Sequence, residues 1–309
     1  MKPHALLAVA LSLLLPFISQ AQSSINFLSA PIRVLPPQTI NSPGICQVPF
    51  NLKKGMIQLT AQVDAEQQTF ILDTGAPGLV LHTESDQKQV GKTASSCSAV
   101  IELGEVDVAS FTWAQQYYQD FTALGLDMSH LGQGVTKAFG GLIGYDLLQE
   151  KVVMIDYQRE KLVLLTSKTS SIDFGTLEHL RVPFTLMEHL PVVELQIEGC
   201  QFRFGVDTGA ANNLLDQASF AQLAQKSRNV SEYILQGLDQ EKHRVSAKRI
   251  GQIQLAGKTT SSDFLIHDLS HLQFENHASL DGLVGFDLLK DYTVVIDYPR
   301  QELILLLQE

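Results

Sequence analysis

The chain has 309 residues, 45% of them hydrophobic, and a formal net charge of −11. That length suits one large domain or two of ordinary size, with enough apolar material for a sizeable core. The acidic balance argues against nucleic acid or an anionic membrane as partner, and no basic run, Gly-rich phosphate loop or coiled-coil heptad is present.

The N-terminus carries Lys2, an apolar stretch from Ala5 to Ile18, and small residues at Ser19 and Ala21. This pattern predicts a secretory signal peptide over 1–21, cut after Ala21, and hence a periplasmic or secreted protein with no membrane attachment after cleavage. An uncleaved anchor is the alternative, but the apolar run is short and Pro16 interrupts it. Residues 22–47 have proline, serine and little periodicity, and read as an irregular lead-in.

From residue 48 the chain repeats itself. Val48–Ala76 aligns without a gap on Val182–Ala210, and Gly141–Leu165 aligns on Gly282–Leu306. Two copies are too few for a solenoid and fit two related lobes around one cleft. The reading is therefore a lobe over 48–165, a Ser/Thr-rich linker over 166–180, and a second lobe over 181–309.

Each half reads mainly as strands. Ile57–Val63 and Val192–Ile197 alternate or run apolar, each followed closely by another strand. The segments VVMIDY with KLVLL, and TVVID with LILLL, predict hairpins turned at Gln158–Arg159 and Pro299–Arg300. GYDLLQE and GFDLLKD read as short helical turns, and Ser219–Gln225 as one helix. Of the three cysteines, Cys46, Cys97 and Cys200, sequence alone does not choose a pairing. At most one disulfide is expected, with Cys200 as the free thiol because it falls at a hairpin turn, which leaves Cys46 with Cys97.

The chemistry concentrates in a duplicated motif. FILDTGAPGLVL (Phe70–Leu81) and FGVDTGAANNLL (Phe204–Leu215) each end an apolar strand on aspartate, threonine and glycine. Burying an unpaired carboxylate is costly, so two such sites in one chain suggest that they serve each other. Two carboxylates within hydrogen-bond range cannot both ionise freely and titrate as a coupled pair, one acting as base and the other as acid.

Together with the apolar–apolar–Gly motifs Leu142-Ile143-Gly144 and Leu283-Val284-Gly285, these residues make each half resemble a retropepsin-type aspartic protease lobe, and the whole chain the bilobal pepsin-like arrangement. The resemblance covers about residues 48–307. It implies an all-β fold with minor helix: two β-barrel lobes related by a pseudo-two-fold axis, with Asp73 and Asp207 as catalytic dyad at the cleft floor. It also implies that Thr74 and Thr208 hydrogen-bond across the lobe junction, and that Gly75 and Gly209 let backbone N–H groups approach the carboxylates. Hairpin flaps are expected at Val90–Ser98 and Leu235–His243, with Gly91 and Gly237 as cleft residues. Three departures from the pattern are Pro77, Tyr145 and Phe286, the last two standing where viral retropepsins usually have arginine.

Other candidates have plainer readings. His267 and His271, with Asp263 and Asp268, have no further ligand at metal-site spacing, so no metal or other cofactor is expected. Asp156-Tyr157 and Asp297-Tyr298 are explained as turns. Asp146 and Asp287 read as helix caps or braces of the dyad loops, and Trp113, Tyr117 and Tyr118 as core. The expectation is an exported, monomeric aspartic endopeptidase acting on peptide or protein. The alternatives are a non-catalytic peptide-binding protein of the same fold, or a structural role in the envelope.

Overall fold

The structure, a computed structural model, describes residues 6–9, 44–84, 89–95, 100–132, 138–166, 174–223, 228–238, 241–270, 272 and 279–307. Strands dominate and fall into two sheets, one of 8 strands and one of 14. The strands from Asn51 to Ile143 build the smaller sheet. The larger one contains the second half together with the hairpin that ends the first half and the strands Ile45–Pro49 and Leu6–Val9.

The same local arrangement positions each aspartate. Glu66–Leu72 runs in parallel beside Phe139–Ile143, which pairs antiparallel with Leu79–His82. In the second half Cys200–Val206 lies parallel to Gly282–Val284, which pairs antiparallel with Asn213–Asp216. The loop bearing each aspartate therefore leaves on one side of the apolar–apolar–Gly strand and returns on the other. Strands flanked on both faces by protein need continuous apolar sequence, and Ile71, Leu72, Val80, Leu142, Ile143, Val206, Leu214 and Leu283 are all fully buried.

The halves are joined through an antiparallel pair, Lys151–Asp156 against Tyr292–Asp297. Its register places Met154 opposite Val295, its own equivalent in the alignment of Gly141–Leu165 on Gly282–Leu306. An antiparallel pair in which equivalent residues face each other has a local two-fold axis through that point. Outward from this axis the order is the same on both sides. Lys161–Thr166 and then Ile45–Pro49 flank one strand, while Glu302–Leu307 and then His179–Met187 flank the other. One apolar cluster runs through both halves, from Phe50, Ile57 and Phe70 to Val294, Ile296 and Leu305.

The two predicted hairpins form, as do short helical turns at Tyr145–Leu147 and Phe286–Leu289. Four details differ from the sequence reading. The lead-in is not irregular to residue 47: Ile45–Pro49 is a strand, held by backbone pairing to Lys161–Thr166 and by burial of Cys46. Likewise, His179 and Leu180 belong to the strand His179–Met187 rather than to a linker. The helix expected at Ser219–Gln225 occupies Gln217–Phe220, because the Asp216 carboxylate caps it through the N–H groups of Ala218 and Ser219. Cys46 is a free thiol, so it forms no bridge with Cys97: it points into the core from its strand. Cys200 is also free; Cys97 itself lies outside the described residues. Within the expected signal peptide, Leu6–Val9 pairs in parallel with the outer strand Arg228–Gln236, while cleavage after Ala21 concerns residues outside those described. No helix among the described residues is long and apolar enough to cross a membrane.

Candidate active site

Asp73 and Asp207 follow directly on their strands, and each is fully buried. What brings them together is a reciprocal set of bonds between the two loops. The Thr74 hydroxyl donates to the Val206 carbonyl at 2.7 Å, and the Thr208 hydroxyl donates to the Leu72 carbonyl at 2.9 Å. Each hydroxyl oxygen also accepts the other threonine's backbone N–H, at 3.0 and 3.1 Å. Both hydroxyls thus donate once and accept once, in a buried setting where an unpaired polar group would be costly.

Glycine is required on each loop by closeness rather than by an unusual dihedral. A Cβ at position 209 would lie 2.5 Å from the Asp73 Cγ, and one at position 75 would lie 3.0 Å from the Asp207 Cγ. The loops therefore pack backbone against carboxylate across the junction. Gly75 N–H donates to Asp73 Oδ1 and Gly209 N–H to Asp207 Oδ1, both at 2.8 Å. The apolar–apolar–Gly motifs close the arrangement from below. The N–H groups of Tyr145 and Phe286 each donate at 2.9 Å to the carbonyls of Ala76 and Ala210, and a Cβ on Gly144 or Gly285 would run into those same oxygens.

The carboxylates lie within hydrogen-bonding reach of each other. Their Oδ2 atoms are buried and receive no donor from the described residues. Two buried carboxylates in reach of each other, each with an oxygen that receives no donor, are placed to share one proton. Burial raises the Asp73 carboxyl well above the ordinary range, and the neighbouring Asp207 charge raises it further. Burial also raises Asp207, against the bonds it accepts from Asp73 and from the Gly209, Ala210 and Gly75 N–H groups. The arrangement can hold one proton between two carboxyls and use it as acid while the other oxygen acts as base.

Several groups at the site have roles that the sequence reading did not give them. Tyr157 and Tyr298 do sit beside turns, where Asp156 and Asp297 accept the backbone N–H of Arg159 and Arg300. Their rings, however, pack under the dyad: Tyr157 on Phe286 at 5.5 Å and Tyr298 on Tyr145 at 5.6 Å. Both hydroxyls are pushed up by burial and, further, by nearby charge, that of Asp207 on Tyr157 and those of Tyr145 and Asp73 on Tyr298. Tyr145 and Phe286 thus contribute aromatic packing at the site. Asn213 is fully buried and binds the second loop to its motif, accepting from Gly285 N–H at 2.9 Å; a polar residue inside the apolar run NNLL was the available signal. His189 donates to the Gly75 carbonyl at 2.8 Å, and no pattern in the sequence marked it.

The remaining candidates fall into place with less consequence. Asp287 braces its loop by accepting from Asn212 at 2.7 Å, whereas Asp146 lies close against Gly78; neither caps its helix, whose cap residues are Gly144 and Gly285. Trp113 and Tyr118 are core. Gly91 sits inside the strand Gln89–Ser95 rather than at a hairpin tip, where the register with Val100–Trp113 shifts. Gly237 begins the turn of the hairpin Arg228–Gln236/Lys242–Leu255. His271 lies outside the described residues, and among those described no group of three metal-ligating side chains occurs.

Comparison with known proteins adds two findings. Residues 193–288 match the model of a family described as aspartyl protease. The fold is similar to the crystal structure of the aspartic proteinase from Irpex lacteus, with a TM-score of 0.52 and 13% identity over 86% of this chain and 98% of that one. Comparison with curated protein sequences gives no match.

Proposed function

We propose that the chain is an exported aspartic endopeptidase whose dyad is Asp73 and Asp207, a reading supported by the aspartyl protease family model that matches residues 193–288 and by the fold. The observation that carries this reading is the pair of buried, interacting carboxylates whose Oδ2 atoms have no donor among the described residues. A peptide-binding cleft has no need of such a pair, which is costly to bury unless a shared proton is put to use.

In this reading the ionised carboxyl takes a proton from a water molecule as its oxygen attacks the scissile peptide carbonyl. The protonated carboxyl gives its proton to the carbonyl oxygen, and a gem-diol forms. The proton taken from water then passes to the leaving nitrogen as the C–N bond breaks, while a gem-diol hydroxyl returns its proton to the other carboxylate, so the dyad ends with one proton, as it began. The threonine bonds hold the two loops at fixed separation, so the carboxyls are placed before substrate arrives. Thr74, Gly75, Thr208 and Gly209 support geometry, and no metal or other cofactor takes part. The leader residues Lys2 to Ala21 support export and cleavage after Ala21.

The test is incubation of the purified mature protein with a diverse peptide library from acidic to mildly alkaline pH, beside Asp73→Asn and Asp207→Asn. Cleavage by the wild type and its loss in both variants is expected. Because burial raises both carboxyls, and the Asp207 charge raises Asp73 further, activity should extend well above the ordinary carboxylate range and vanish once the last proton leaves. Peptide binding without cleavage at any pH would favour the binding protein, and cleavage surviving either substitution would place the chemistry elsewhere.

A further inference from the structure

The two dyad loops share their threonine, glycine and alanine bonds, and one of the differences between them bears on Asp73. The gapless alignment of Val48–Ala76 on Val182–Ala210 sets Gly55 against His189, each at the turn between the first two strands of its half. Gly55 has φ +80 and packs on the opposite half, where a Cβ would lie 3.0 Å from Phe286 Cδ1 and 3.1 Å from Ala211 Cβ. It has no side chain to offer a donor. His189 reaches the equivalent place with an imidazole that is 3% exposed.

Its Nε2 lies 2.8 Å from the carbonyl oxygen of Gly75. A carbonyl only accepts, so Nε2 carries the hydrogen and the tautomer is set. The bond crosses from a hairpin turn of the second half into the dyad loop of the first. That carbonyl belongs to the peptide whose N–H is Ala76, and the Ala76 N–H acts on the Asp73 carboxylate and bonds the Asp73 carbonyl at 3.2 Å. Donation into the oxygen of an amide makes its N–H a better donor, because hydrogen bonds in a chain polarise one another. Tyr145 lies 6.5 Å from the ring between centroids and is itself raised by burial and by Asp146, and Glu188 precedes His189 in the turn.

We infer that His189 is a positioning residue for the dyad: it orients the Gly75–Ala76 peptide and strengthens its N–H toward Asp73, on one loop only. The inference rests on the dyad reading above. It gives the two aspartates unequal surroundings although their motifs are the same, since the first copy has glycine where the second has the imidazole.

The test compares His189→Gln, whose amide nitrogen reaches nearly where Nε2 stood, with His189→Leu, which fills similar space without a donor. Peptide hydrolysis by His189→Leu should show kcat lowered roughly 10-fold with KM little changed, the effect of one lost hydrogen bond of about 1.4 kcal/mol. Loss of a donor that favours the ionised form raises a carboxyl's titration point, so the acid limb of the pH profile should move to higher pH. His189→Gln should restore both. The same shift should appear in a 13C NMR titration of the aspartate carboxyls, which needs no turnover. If His189→Leu keeps the wild-type acid limb and carboxyl titration, or if His189→Gln is impaired equally, the imidazole only fills space and the inference fails. Absence of cleavage by the wild type would instead sink the dyad reading, while the NMR titration still decides the role of His189.

Discussion

A Cβ on residue 209 would come within 2.5 Å of the Asp73 Cγ, closer than a Cβ on residue 75 would come to the Asp207 Cγ. Neither glycine has a positive φ, so alanine is barred there by the facing carboxylate and not by the backbone. Gly209→Ala is therefore expected to displace Asp73, lowering peptide hydrolysis roughly 100-fold and stability by about 2 kcal/mol. Gly75→Ala should do less on both counts. Denaturant melts and initial rates of the two variants check this ordering, and equal effects would contradict it. At Asp146, partial burial raises the carboxyl to about 6. Its folded value lies above the unfolded one, so the folded state keeps the proton longer and stability falls as pH rises from about 4 to about 6. Asp146→Asn should flatten that slope and gain up to roughly 2 kcal/mol at neutral pH, a ceiling because the group keeps some solvent screening. Melts across that pH range showing identical slopes would contradict the assignment.

At the scale of elements, the hairpin Arg228–Gln236/Lys242–Leu255 shows how one half leans on the other. Leu238, at its turn, is 1% exposed and belongs to an apolar cluster otherwise drawn from the first half, including Met56, Ile71, Ala76, Val80 and Met128. Burial of one such side chain is worth about 2 kcal/mol, and here it holds a hairpin tip rather than a core layer. Leu238→Ala should therefore speed amide exchange selectively along Arg228–Leu255, with a stability loss of roughly 2 kcal/mol. Uniform acceleration across the whole chain would show that the tip is not a separate unit. The turn residues of this hairpin were readable in sequence, because Gly237 and polar neighbours interrupt two strand-forming runs. Where its tip docks was not, since no local pattern specifies contact with residues more than a hundred positions away.

At the scale of the whole molecule, the threonine bonds are the most direct link between the two halves. Thr74 and Thr208 each donate to the other half and accept from the other threonine. Removing one hydroxyl already disrupts a network that both share, so Thr74→Val and Thr208→Val should not add. A double-mutant cycle in denaturant is expected to give an interaction energy of about 1 kcal/mol or more. Additivity within error would mean that the two loops are held independently.

The sequence by itself determined the strand-rich halves, their duplication, the two hairpins and the repeated aspartate motif. These follow from short-range rules: apolar runs, turn residues, and an aspartate–threonine–glycine set written twice in register. Tertiary structure decided which polar groups meet. Cys46 stays a thiol because strand pairing with Lys161–Thr166 turns it into the core. Tyr157 and Tyr298 became part of the site because the turns they belong to fold beneath the opposite dyad loop. His189 bonds Gly75 across a separation of 114 residues, a contact made only when the second half closes on the first. Burial and hydrogen-bond partners at such distances depend on how finished strands pack, and no window along the chain contains that information.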